Sequence, residues 1–191
     1  MNKVVVGSVL FLAMASAQAV ASPRWNNATL SYQSVDLDGD KLTGFGLSGT
    51  KLLNANVFIN GGFNNAAGEG YSLDLDYGTK SLGLGFRSEL SQQTDLYGLL
   101  SYEYVKLEGS NGWYSQSASE DGFGLAVGVR SMMTDKLELN AGFKFMDIAE
   151  ESDTALVFGA MYDFGKAFSA GVSYARADDT RTITVSGVYY F

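Results

Sequence analysis

The sequence predicts an all-β chain that closes into an antiparallel, up-and-down transmembrane barrel. Three observations predict it. An apolar/polar alternation of period two recurs ten times, the face opposite the apolar one is mostly Gly, Ala and Ser, and the turns sort into a short set and a long set. Composition agrees: 191 residues suffice for one domain, and 23 Gly, a single Pro and 13% aromatic residues suit strands with small residues on one face.

The first element is an export signal. Lys3 supplies a positive start, VVVGSVLFLAM (4–14) an apolar core and ASAQAVA (15–21) a run of small residues. Residues 1–21 therefore read as a cleaved secretory signal peptide, cut after Ala19 or after Ala21, both of which leave small residues one and three positions before the bond. Residues 22–191 are the barrel domain. Losing Lys3 leaves 12 basic groups against 21 acidic ones, a net charge of −9. No later stretch approaches 18 apolar residues, so no transmembrane helix is expected.

Strands are expected near 25–35, 42–52, 55–64, 79–90, 95–107, 121–132, 136–147, 154–164, 167–176 and 181–191. KLELNAGFKF (136–145) shows the pattern: Leu137, Leu139, Ala141, Phe143 and Phe145 point one way, and Glu138, Asn140, Gly142 and Lys144 the other. On a helix the same spacing would scatter the apolar groups around the axis. Trp25, at the start of the first strand, is expected to anchor the barrel at a membrane interface. Across the connection into the fourth, GYSLDLDYGTKSLGLGF (70–86), the apolar parity switches between Leu75 and Leu82, which predicts a break or bulge near Gly78 with the acidic part above the lipid.

The faces decide the class. Leu82, Leu84 and Phe86 alternate with Gly83, Gly85 and Arg87; Phe123, Leu125, Val127 and Val129 alternate with Gly124, Ala126, Gly128 and Arg130. A soluble sandwich would need Lys, Glu and Thr on its second face. Small and polar inside with apolar and aromatic outside is the arrangement of a membrane barrel.

Connections after even strands are short: 52–56, 91–95, 132–136 and 163–167. Those after odd strands are longer or more acidic: 35–41, 64–78, 108–121, 147–153 and 177–181. An even strand number with both termini on the short-turn side follows. Ten strands is the expected count, and eight the alternative if two weak segments merge or leave the membrane. The chain ends on TITVSGVYYF (182–191), and the last strand must pair with the first because an open edge is not tolerated in lipid.

With that ending the chain resembles the small outer-membrane β-barrel proteins, the porin-like and OmpA-type transmembrane barrels. In that family a C-terminal aromatic, with apolar residues at alternate positions before it, is read by the barrel-assembly machinery; Ile183, Val185, Tyr189 and Phe191 fit that signal, with Gly187 where another apolar residue is common. The resemblance covers essentially the whole mature chain. It implies the outer membrane of a Gram-negative bacterium, reached through the periplasm. It also implies a periplasmic chaperone, the assembly machinery, outer-membrane lipids and lipopolysaccharide as partners.

Several classes of activity are disfavoured. An acidic chain lacks the clustered Lys and Arg of nucleic-acid binding. Without Cys there is no disulfide or thiol chemistry, and without His the commonest base and metal ligand are gone. Barrel enzymes of the phospholipase, protease, acyltransferase and deacylase types are alike in placing a His at the active site, so no enzyme, catalytic residue or cofactor is expected. VDLDGDK (35–41) alternates acids like a calcium loop. Its Gly is misplaced and no Glu closes the motif, so it reads as a solvated turn and no metal site is expected. Most of the 21 acids fall on the long-turn side, a rim that hydrates the surface or bridges lipopolysaccharide phosphates through divalent cations.

Two groups remain as candidate sites. Arg87, Glu89, Arg130, Glu138 and Asp163 point inward toward the short-turn ends, with Glu103 and Lys144 higher. They read as ion pairs that fill the lumen or as a selectivity filter. Trp113 and Tyr114 sit in the 108–121 connection as candidate contact residues. The expectation is a non-enzymatic barrel contributing to envelope integrity or surface interaction. The alternatives are a narrow passive channel for ions or small solutes, and an adhesin or receptor acting through 108–121. Porin trimers use longer constriction loops, so a monomer is expected.

Overall fold

The computed structural model describes residues 21–37, 40–70, 73–110, 115–148, 151–178 and 180–191. Ten strands follow one another: β1 (Asn27–Leu37), β2 (Asp40–Leu52), β3 (Val57–Gly70), β4 (Leu73–Ser91), β5 (Thr94–Ser110), β6 (Ser115–Met132), β7 (Leu137–Ile148), β8 (Glu151–Asp163), β9 (Phe168–Ala177) and β10 (Thr180–Tyr190). Each is antiparallel to its chain neighbours. β10 pairs back on β1 from Tyr190 opposite Asn27 to Thr180 opposite Leu37, so the barrel is closed and the eight-stranded alternative is excluded.

The alternation places the side chains. Leu30 and Tyr32, Phe45 and Leu47, Leu82, Leu84 and Phe86, Phe123, Leu125 and Val127, Phe143 and Phe145, and Ile183 and Val185 are all exposed and form one apolar belt. Such a belt on a closed antiparallel barrel is a lipid-facing surface. Aromatic rings meet near its lower edge, Phe168 tilted against Tyr189 at 5.3 Å and Tyr162 edge-on to Phe164 at 5.3 Å. The short turns are held by local side chains. Asn54 Oδ1 accepts from the Asn56 and Val57 amides, and Thr134 Oγ1 from those of Lys136 and Leu137.

Two expectations need correction. β4 runs unbroken through Gly78, which pairs with Asn65 on one side and Lys106 on the other; the irregularity in its pairing with β5 lies at Glu89–Ser91. The segments 64–78 and 108–121, expected as connections, are largely strand, so β4, β5 and β6 run for 19, 17 and 18 residues. About 9–11 residues cross a bilayer, so this wall stands well clear of the lipid. There the sign of the pattern inverts. Asp74 and Asp76 face out, whereas Leu75 packs inward against Val35, Leu42 and Ala66 in a small buried core. The parity switch at Gly78 marks a change of solvent, not of backbone.

Candidate functional site in the barrel lumen

The short-turn end of the lumen is crossed by the segment that precedes β1. Trp25 is only 5% exposed and lies inside the barrel, which corrects its expected place at a membrane interface. Its indole Nε1 donates to Asp95 Oδ2 at 2.6 Å, and its ring packs on Phe58 at 4.6 Å and Tyr97 at 5.7 Å. Space for these rings comes from glycine on neighbouring strands. A Cβ at Gly85 would fall 2.1 Å from the Phe58 ring, and one at Gly128 would fall 2.7 Å from the Tyr97 hydroxyl. At these two positions, beside the segment that crosses the lumen, the small residues are the counterparts of large ones.

Arg24 continues the crossing. Its guanidinium pairs with Asp163 at 2.6 Å, donates to Ser169 Oγ at 3.1 Å and to the Lys166 carbonyl, and covers the Tyr190 ring at 3.6 Å. Ser169 in turn donates to Asp163. Residues 24 and 25 thus touch side chains of β3, β5, β6, β8, β9 and β10. β3 and β8 lie half a circumference apart in the ring of strands, so the segment spans the full diameter as a stopper.

Charged pairs surround it. Arg130 meets Glu138 through two bonds, Nε to Oε1 at 2.7 Å and Nη2 to Oε2 at 2.9 Å. The same Nη2 donates to the Arg24 carbonyl at 2.9 Å, and the guanidinium lies 4.6 Å from the Trp25 ring centre. Arg87 Nη1 meets Asp95 Oδ2 at 2.8 Å and its Nε donates to the Ala55 carbonyl at 2.8 Å. Planar forks bound to carboxylates leave few donors unsatisfied, which is what burial of these charges demands. Higher up, Lys144 pairs with Glu103 at 2.8 Å, and Ser101 donates to the same carboxylate at 2.7 Å.

Of the seven inward charges singled out in the sequence, Arg87, Arg130, Glu138 and Asp163 join the stopper. Glu103 and Lys144 form their own pair, and Glu89 is exposed at the rim outside both. Sequence reasoning missed Asp95 and Arg24. Asp95 falls where the turn 91–95 meets the strand expected from 95, although it shares the lumen parity of Ser101 and Glu103. Arg24 lies before any strand period begins. Ile183, Val185, Tyr189 and Phe191 are exposed in one outward stripe on the closing strand. Trp113 and Tyr114 lie outside the described residues. Among the described residues no group of three or more potential metal ligands gathers.

Residues 6–175 match the family described as outer membrane protein beta-barrel domain. No curated protein matches the chain in sequence. Among solved structures, an outer-membrane channel from Pseudomonas putida F1 is 10% identical with a TM-score of 0.53 over 94% of this chain and 100% of that one. The KdgM porin is 9% identical with a TM-score of 0.51 over 85% and 99%. The attachment invasion locus protein of Yersinia pestis is 18% identical with a TM-score of 0.43 over 87% and 98%. At these identities the likeness is one of fold.

Proposed function

The chain belongs to the outer-membrane β-barrel family and sits in the outer membrane of a Gram-negative bacterium, and from that premise we propose that it is a non-enzymatic, non-conducting surface barrel. The observation that carries this reading is the stopper. Arg24 and Trp25 bridge opposite walls of the lumen through bonds to Asp95, Arg130 and Asp163. A barrel closed in this way acts through its outer surfaces. The tall β3–β6 wall supports that role, because it lifts a ridge of ladder well above the apolar belt. The sequence between β5 and β6, which includes Trp113 and Tyr114, supplies the candidate contact residues for a partner. The outward stripe Ile183, Val185, Tyr189 and Phe191 is the handle offered to the barrel-assembly machinery, after delivery by a periplasmic chaperone. A monomer suffices for all of this.

The test is single-channel conductance of the refolded mature protein in a planar bilayer, with a heat-shift gel to show folding. A silent folded barrel is expected, and discrete steps in a variant lacking residues 22–26. Steps of similar size in the unaltered protein would replace this reading with the passive channel, whose support is the run of Gly and Ser along the lumen above the stopper. Deleting residues 110–119 tests the surface role. Loss of binding to cells or matrix with the heat shift retained is the expected result, and unchanged binding would remove that wall from the account.

A further inference from the structure

The tall wall is not flanked to its full height on both sides. β6 pairs with β5 from Ser131 up to Ser115, but with β7 only from Met132 up to Gly122, which stands opposite Ile148. Residues 115–121, SQSASED, therefore carry a ladder on one side, and among the described residues no strand lies against the other. All of them are exposed. At about 3.4 Å per residue the open edge is about 24 Å long.

The foot of β6 shows which backbone groups are free. The Met132 amide donates to the Gln93 carbonyl, on the β5 side, and the Met133 amide to the Leu137 carbonyl, on the β7 side. Neither ladder of β6 shifts register. In antiparallel ladders the side to which a residue turns its N–H and C=O alternates along the strand. Even-numbered residues of β6 thus serve β5, whereas Ser115, Ser117, Ser119 and Asp121 turn both groups to the open side. Natural sheets guard such an edge with Lys, Pro or a bulge, and 115–121 has none of these.

The side chains say what fits. Along most of the edge they are Ser and Ala, which leave room for larger ones on an added strand. Its lower end is acidic: Glu120 on the inner face, Asp121 on the outer face, and Asp147 of β7 opposite Phe123. All are exposed, and among the described residues none takes an ion pair. Lys106, opposite Ser119, is already held by Glu108 at 2.6 Å. We propose that this edge takes up an extended segment of another polypeptide as an additional strand, with basic side chains at the end of that segment nearer the membrane. A second copy in the same membrane does not fit, because it would bring its own Glu120 and Asp121 to the same height. The proposal rests on the reading of the wall as the acting surface and is independent of whether the lumen conducts.

The mature protein, folded in nanodiscs of a zwitterionic lipid that offers a cationic peptide no anionic headgroup, is titrated with a cyclic β-hairpin peptide. Its strands alternate Val and Thr, and one end carries Arg. Each hydrogen bond to the free edge contributes about fivefold. The double variant Ser117→Pro, Ser119→Pro removes donors that face the open side and spares the ladder to β5. It is expected to bind roughly thirtyfold more weakly. Ser117→Ala, Ser119→Ala keeps those donors and is expected to bind as the unaltered protein does. Hydrogen exchange is expected to slow on binding at the amides of Ser117 and Ser119, and not at Ala118, whose amide already serves β5. A hairpin methylated on its docking-edge amides is expected to bind as weakly as the proline variant binds the parent peptide, and one with Glu in place of Arg about fivefold more weakly. No binding of the hairpin to the unaltered protein, equal binding by the proline variant, or an equal loss in both double variants overturns the assignment. Equal binding of the Glu hairpin overturns the basic end of the partner. Should the proline variant fail the heat-shift gel, the methylated hairpin tests the edge on the unaltered protein. Hairpin binding beside adhesion that survives deletion of residues 110–119 keeps the edge and removes the surface role. Adhesion lost on that deletion, with no hairpin binding, removes the edge alone.

Discussion

Strand β4 obeys opposite rules above and below Thr79. Below it, toward the short turns, Leu82, Leu84 and Phe86 face out and Gly83, Gly85 and Arg87 face in. Above it, Asp74 and Asp76 face out and Leu75 turns in toward Val35, Leu42 and Ala66. The backbone ladder is the same in both halves. What differs is the medium outside. In lipid the outer face must be apolar and the interior takes the polar groups. In water the outer face is charged and the interior becomes a small conventional core. A period-two strand records its solvent in the parity of its apolar residues, and an inversion of parity without a break locates the membrane edge.

The comparison has four surfaces, and one substitution tests each. Glu138→Ala, inside the membrane part, leaves the Arg130 guanidinium buried without its carboxylate. It is expected to cost about 3–5 kcal/mol, read as a lower urea midpoint for the protein folded in vesicles. Leu84→Arg, on the lipid face, is expected to cost roughly 2–4 kcal/mol by the same readout. A cost near zero would mean that the belt does not lie in the bilayer core where the pattern places it. Leu42→Ala, inside the upper part, is expected to cost about 2 kcal/mol. That loss should be the same in detergent and in vesicles, because this core faces water and not acyl chains. Asp76→Arg, on the wetted outer face, is expected to change stability by less than about 0.5 kcal/mol. If it matched Leu84→Arg instead, the boundary at Thr79 would be misplaced.

Much of the barrel was legible because each lipid-facing position is constrained by one solvent. The alternation in 136–145, and its repetition nine times, gives the strand number and the outward residues directly. The turns were harder. The acidic segments 64–78 and 108–121 look like connections because their outer residues are polar, yet polar outer residues are also what a strand carries once it leaves lipid. Gly78 looked like a break for the same reason. The stopper was the least legible part. Residues 22–26 belong to no periodic segment, so parity says nothing about Trp25. A tryptophan beside the first strand fits a membrane interface as readily as the space between Phe58 and Tyr97. Asp95 carried a usable signal, since it falls two residues before Tyr97 on the lumen face, but its place at a turn hid it.

The stopper also orders events in time. Its bonds join residues far apart along the chain: Trp25 to Asp95 across 70 positions, Arg130 to Arg24 across 106, and Arg24 to the β8–β9 turn across 142. Strand pairing proceeds between chain neighbours, but this segment cannot be seated until the last hairpins have arrived. Contacts that form after the rate-limiting step act on unfolding and not on folding, so Arg24→Ala is expected to speed unfolding of the barrel while leaving its folding rate unchanged. Residues 24 and 25 are thus expected to latch a finished cylinder, setting how long it lasts more than how fast it is made.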